Sequence, residues 1–167
     1  KRQDIDFSKT VEFKNIDIQK QIYDVIVFAM KEYCENTGFR KAVLGLSGGI
    51  DSALTAVLAV DALGAENVLG VLMPSMYSSE SSVTDSLELA KNLGMKTVTE
   101  PITPLFEAFM NGRESKHDLA EENLQARLRG LILMFYSNRE NRLLLTTGNK
   151  SECAMGFGTL YGDMAGG

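Results

Sequence analysis

Short apolar runs alternating with helical stretches narrow this chain's possible folds more than any other feature. Residues 42–46 (AVLGL) form one run, followed by Ser47-Gly48-Gly49 and a periodic apolar stretch at 53–63. Residues 67–73 (NVLGVLM) form a second, stopped by Pro74. Ser82 with Asp85 reads as a helix cap, and Val83, Leu87, Ala90 and Leu93 mark a helix closed by Gly94. Residues 96–100 make a third strand, about 119–136 a long helix, and 142–146 (RLLLT) a fourth strand. Ahead of these, Ile18, Ile22, Val25, Ile26, Ala29, Met30 and Tyr33 recur at spacings of three and four. They predict a helix from residue 15 with one apolar face, stopped at Gly38. Because the strand runs do not alternate in polarity, both faces of their sheet are covered. The prediction is an α/β domain, a parallel sheet with helices on both faces. Ligands bind such sheets at the carboxyl ends of the strands. The two glycine-bearing polar turns, after Leu46 and after Thr146, both fall there.

A domain of 167 residues buries roughly 70% of the surface its unfolded chain exposes. No Pro/Ser/Gly-rich linker interrupts it, so residues 15–167 read as one domain and the polar residues 1–14 as an arm or linker. Seventeen Lys+Arg against 22 Asp+Glu leave a net charge of −5, which argues against coating nucleic acid or an anionic membrane by bulk charge. No apolar run reaches the ~18–20 residues of a membrane span, and the polar N-terminus lacks a signal-peptide core. Two cysteines, Cys34 and Cys153, fit a reducing cytoplasm.

The segment Leu46-Ser47-Gly48-Gly49-Ile50-Asp51-Ser52 has the parts of a phosphate site. Consecutive glycines let backbone N–H groups point inward, and the helix that follows adds free N–H groups and a positive dipole end. Ser47 and Ser52 can donate to phosphate oxygens. Asp51 beside a phosphate makes sense with Mg²⁺ between them. The plainer reading is a tight turn capped by Ser or Asp; the segment is neither GxxxxGK[ST] nor GxGxxG. Asn123 and Arg127, four apart, share a helix face suited to a carboxylate, phosphate or ribose, or simply to solvent. Glu152 is either a second Mg²⁺ carboxylate with Asp51 or a residue stabilised at a helix start. His117 reads as part of a surface loop, Cys153 as a small packed side chain, and the eight methionines as core filling.

SGGIDS after a first strand resembles the pyrophosphatase loop of the ATP pyrophosphatase superfamily, whose members adenylate a carboxylate or carbonyl oxygen. Residues 146–152 (TTGNKSE), 122–129 (ENLQARLR), 159–167 (TLYGDMAGG) and 74–82 (PSMYSSESS) are similar, in order, to NAD synthetase, and most to its glutamine-dependent branch. The resemblance implies a Rossmann-like fold of the adenine nucleotide alpha hydrolase type and a carbon–nitrogen ligase. It implies ATP bound by Leu46, Ser47, Gly48, Gly49, Ile50, Asp51, Ser52 and Thr147, with Mg²⁺ on Asp51 and Glu152. Deamido-NAD would be bound by Asn123, Arg127, Glu152, Phe157, Gly158, Thr159, Leu160 and Asp163. Asp51, Glu152 and Asp163 would be catalytic, with Asp163 orienting ammonium or accepting its proton. Leu160 stands where the ammonia-dependent branch carries a lysine, which fits the glutamine-dependent branch. Also implied are a homodimer, a separate nitrilase-like glutaminase domain, and a synthetase domain that continues past residue 167. Two other readings stand beside this one. One is another amide ligase or thiolase of the superfamily; the other is a non-catalytic ATP-binding fragment.

Overall fold

Within the strands, neighbouring side chains take opposite faces of the sheet, and each face fills with apolar groups. The computed structural model describes residues 17–166; the proposed arm at 1–14 lies outside them. The elements run α1 (Ile18–Thr37), β1 (Ala42–Leu46), α2 (Ile50–Leu63), β2 (Val68–Leu72), α3 (Glu80–Leu93), β3 (Lys96–Thr99), α4 (Thr103–Met110), α5 (Leu119–Glu140), β4 (Leu143–Leu144) and α6 (Lys150–Met155). The strands lie in the order β3-β2-β1-β4, and every pairing is parallel. β1 and β2 pair in step over five residues, Ala42 opposite Val68 through Leu46 opposite Leu72.

One face buries Ala42, Leu44, Leu46, Val68 and Leu72 against Ala56 and Ala59 of α2, Ala90 of α3 and Cys34 of α1. The other buries Val43, Leu69, Val71 and Leu144 against Leu128, Ile132, Leu133 and Tyr136 of α5. This alternation explains the continuous hydrophobicity of β1, β2 and β4, where no position is exposed; the edge strand β3 differs, with Lys96 and Thr99 exposed. Tyr136 also donates to Glu100 Oε1 at 2.6 Å, and that bond, with burial, pushes the phenol pKa up to about 12. Tyr23 of α1 and Asp61 of α2 form a similar 2.5 Å bond, which likewise raises the phenol to about 12.

Several expectations change in detail. The cap of α3 is Ser79, which accepts from the Ser82 N–H, so that helix starts a turn before Ser82. α4 was not foreseen, and β4 pairs over two residues rather than five. Only Cys34 of α1 is buried. Ile18, Ile22, Val25, Ile26 and Tyr33 stay exposed, so of the apolar face of this helix only Met30 packs against the core. Met73 and Met95 fill core as expected, whereas Met76, Met134, Met155 and Met164 are exposed. No helix of the described residues is long and apolar enough to cross a membrane.

The amino end of the sheet is fastened by Arg142, 7% exposed. Its Nη1 donates to the carbonyls of Ala42 (3.2 Å) and Asn67 (3.0 Å), and its Nη2 pairs with Glu140 at 2.7 Å. Arg142→Ala removes a charged donor shared by two strand-end carbonyls and leaves Glu140 without its partner, and should cost about 2–3 kcal/mol in chemical denaturation. Glu140→Gln should cost less, because Glu140 is partly exposed; equal, negligible losses would contradict the fastening role.

Candidate active site

The strand order reverses between β1 and β4, and at such a reversal a doubly wound sheet opens a crevice beyond its carboxyl ends. The loops leaving these two strands are the two polar turns singled out in the sequence.

After β1, Gly48 adopts φ +81, and a Cβ there would lie 2.6 Å from the Ser82 carbonyl oxygen, so only glycine fits. The loop is braced from within: Gly49 N–H donates to Ser47 Oγ (3.2 Å) and Ser52 Oγ donates to the Gly49 carbonyl (3.0 Å). Ser52 is buried, with its hydroxyl bonded within the loop. Side chains of Asp17, Ser79, Asp118 and Asn149 cap α1, α3, α5 and α6. α2, like α4, has no side-chain cap: it begins on Gly49 with no side chain on its first N–H groups. Those donors face outward at the positive end of a 14-residue helix, an arrangement that favours an anion.

After β4, Asn149 and Glu152 form a reciprocal cap at the start of α6. Asn149 N–H donates to Glu152 Oε2 and Glu152 N–H to Asn149 Oδ1, each at 2.9 Å. Asn149 Nδ2 reaches back to Asp51 Oδ1 at 3.5 Å. One asparagine thus touches both carboxylates proposed for Mg²⁺, and hard oxygen donors suit that ion. Among the described residues no group of three or more His, Cys, Asp or Glu could hold a metal. A cation on this pair would therefore take its remaining oxygens from ligand or water.

Asp163 sits on a turn held by α5. Its Oδ1 accepts from Thr159 N–H (2.6 Å), Thr159 Oγ1 donates to Asn123 Oδ1 (2.8 Å), and Arg127 Nε donates to the Leu160 carbonyl (3.3 Å). Asn123 and Arg127 thus meet on one face, as their spacing predicts, and that face grips the turn. The approach is close: a Cβ on Gly130 would lie 2.9 Å from the carbonyl oxygens of Tyr161 and Gly162. Glycine inside a helix costs about 1 kcal/mol against alanine, and this contact accounts for it.

Two cavities meet at this turn. The larger, about 420 Å³, is lined by Leu46, Ser47, Thr146, Thr147 and Asp163 among others. The smaller, about 250 Å³, is lined by Thr146, Glu152, Phe157, Gly158 and Asp163. Asp163 and Thr146 therefore stand on both. Gly48, Gly49, Ile50 and Ser52 line a separate cleft against α3. Asp51, Asn123, Arg127, Thr159 and Leu160 line neither of the two cavities that meet at this turn. Sequence reasoning passed over Thr146, Asn149 and Gly130; the interior glycine was the one readable signal among them. His117 is exposed as expected, but its Nδ1 lies 3.2 Å from Tyr77 Oη. The neighbouring Glu121 carboxylate accepts Lys116 N–H, which holds its pKa below the usual glutamate range. Cys153 is exposed and lines the smaller cavity, rather than packing inward.

This parallel sheet, with an uncapped glycine loop at its topological reversal, defines the adenine nucleotide alpha hydrolase-like class of fold. A family model described as NAD synthase matches residues 22–167, and the chain belongs to that family. It is 53% identical over 153 residues to the glutamine-dependent NAD(+) synthetase of Synechocystis, covering 89% of this chain and 27% of that protein. The glutamine-dependent NAD+ synthetase of Acinetobacter baumannii, solved with ADP, superposes with a TM-score of 0.89 at 45% identity, covering 94% of this chain and 31% of that one. The NH3-dependent NAD synthetase of Campylobacter jejuni gives a TM-score of 0.83 at 38% identity, covering 90% and 65%. The chain thus spans about a quarter of the length of the curated relatives it matches.

Gly130→Ala should gain about 1 kcal/mol of helix propensity yet lower stability overall by about 1–3 kcal/mol through the clash with Tyr161 and Gly162. A thermal melt at or above that of the parent would contradict the close contact.

Proposed function

We propose that the intact protein is a glutamine-dependent NAD synthetase that amidates deamido-NAD to NAD at the expense of ATP, and that this chain carries part of its synthetase site. The observation that supports this best is the placement of Asp163 and Thr146 on both cavities. A reaction that joins two large substrates needs two compartments open to one reacting centre. The membership of the NAD synthase family points the same way.

A carboxylate does not react with ammonia at neutral pH, because its oxygen is a poor leaving group. In the proposed reaction a carboxylate oxygen of deamido-NAD attacks the α-phosphorus of ATP, the bond to the β-phosphate oxygen breaks, and pyrophosphate leaves. Ammonia then attacks the acyl carbon, the carbon–oxygen bond breaks, and AMP leaves. Ser47 and the open N–H groups at the start of α2 neutralise phosphate charge. Thr147, in the larger cavity, stands where an ATP contact is expected. Phe157 and Gly158 line the smaller cavity, on the side assigned to the dinucleotide. Asp163 keeps one carboxylate oxygen on the Thr159 N–H, and the other orients ammonium and receives its proton. Asp51 and Glu152 would hold Mg²⁺, which when bound offsets charge on the phosphates.

Asn123, Arg127, Thr159 and Leu160 act in this scheme by shaping the turn that carries Asp163. The same reading gives ATP and Mg²⁺ as cofactors, a cytoplasmic setting, a homodimer and a glutaminase domain that supplies ammonia. Exposed apolar residues such as Leu131 and Phe135 on α5 are in keeping with a dimer contact.

The intact polypeptide should form NAD and AMP from deamido-NAD, Mg-ATP and either ammonium chloride or glutamine. Absence of NAD with both nitrogen donors would overturn the proposal. Asp163→Asn should slow the ammonium-dependent reaction about 100-fold or more. Full activity in that variant would remove Asp163 from the mechanism.

A further inference from the structure

The larger cavity is lined by two charged side chains among the described residues, Asp163 and Arg129. Arg129 has no carboxylate within pairing distance among those residues. Its one hydrogen bond runs from Nε to the Met73 carbonyl at 3.3 Å, which anchors the guanidinium at the end of β2. Both Nη groups are left without a protein acceptor. They are not sealed in, since no buried side-chain nitrogen among the described residues lacks a partner. Arg129 also borders the opening beside Tyr77 and His117, so its fork stands between two cavities. Burial pushes its pKa down; Asp118, Glu121 and Glu122 line the second opening with it, but none pairs with the guanidinium.

A partly buried guanidinium with two free N–H edges is costly to keep unless an anion completes it. Its planar fork suits the two oxygens of a carboxylate, whereas a lysine would offer only a point charge. In the proposed reaction the carboxylate of the dinucleotide passes Asp163 from the smaller cavity into the larger one to attack the α-phosphorus, and Arg129 is the cation on the wall of that larger cavity.

We propose that Arg129 binds the carboxylate of the dinucleotide that is to be amidated, and so distinguishes the acid substrate from the amide product. This rests on the synthetase reading above. The acid offers two oxygens and a negative charge; the amide offers one oxygen and an N–H₂ group that repels the fork. Conversion of one to the other therefore weakens the pairing and favours release. When ammonia attacks, the oxygen that becomes negatively charged is the one Arg129 already holds, so the pairing also serves turnover.

The test uses the intact polypeptide, with binding of deamido-NAD, NAD and Mg-ATP measured by calorimetry. Arg129→Gln should lose about tenfold or more of the preference for deamido-NAD over NAD, with Mg-ATP affinity within about twofold of the parent. Millimolar guanidinium should restore part of the lost amide formation, which a merely structural role would not allow. Arg129→Lys, which keeps the charge, should recover part of the affinity but not the discrimination, and it serves where the glutamine variant does not fold. An unchanged preference in a folded variant would overturn the proposal, as would a loss confined to Mg-ATP. A parent that fails to bind deamido-NAD would overturn the synthetase reading and this inference together. A parent that turns over normally beside an indifferent Arg129→Gln would overturn this inference alone.

Discussion

The backbone contact between α5 and the turn at Tyr161-Gly162 is the constraint on which the site depends. Gly130 has no side chain, so two carbonyl oxygens of the turn approach the helix closer than any Cβ would permit. Arg127 and Asn123, one and two turns of the same helix away, then hold the Leu160 carbonyl and Thr159. Asp163 is fixed at the junction of two cavities by this grip, not by any bond to the sheet. α5 is fixed in turn by Leu128, Ile132 and Leu133 against one sheet face. The position of one carboxylate is therefore traceable to the apolar stripe of a helix and a glycine within it.

The strand–turn–helix rhythm was legible because parallel strands buried on both faces carry no polarity alternation to confuse the period. The helix stops at Gly38 and Gly94 were equally legible, since both residues take left-handed conformations. The parts that were not legible share a physical cause. Ser79 and Ser82 have the same capping chemistry, and the choice between them depended on where α3 meets the loop. β4 reads as a five-residue strand, RLLLT, yet its ladder pairs two residues, because pairing is decided by the partner strand. The periodicity of α1 correctly gave a helix with an apolar face but carried no information on what covers that face.

For the site, the residues themselves brought out the paired glycines, Asp51 and Glu152 at the carboxyl ends of two strands, whereas Asp163 came from the family resemblance alone. It could not bring out residues whose role is geometric. Asn149 reads as an ordinary cap, yet its side-chain amide also reaches Asp51. Ser52 reads as a donor aimed at a ligand, yet its hydroxyl closes the loop on itself. Arg129 reads as one more charge on a helix that has several. Only the packing of α5 over the end of β2 makes it a cavity wall.

Gly48 bears on more than the conformation of its own loop. Pressed against the first turn of α3, with Ser47 and Ser52 bonding the N–H groups of Gly49 and Ser47 internally, the glycine loop is set in one conformation and holds the free N–H groups at the start of α2 in place before any ligand arrives. The loss of backbone freedom that such a cradle requires, about 1–2 kcal/mol for each residue fixed, is met when the domain folds. An anion entering it meets dipoles already oriented, and its affinity is not reduced by the work of ordering them. Preorganisation of this kind ties ligand affinity to the stability of the α3 contact, remote from the ligand itself.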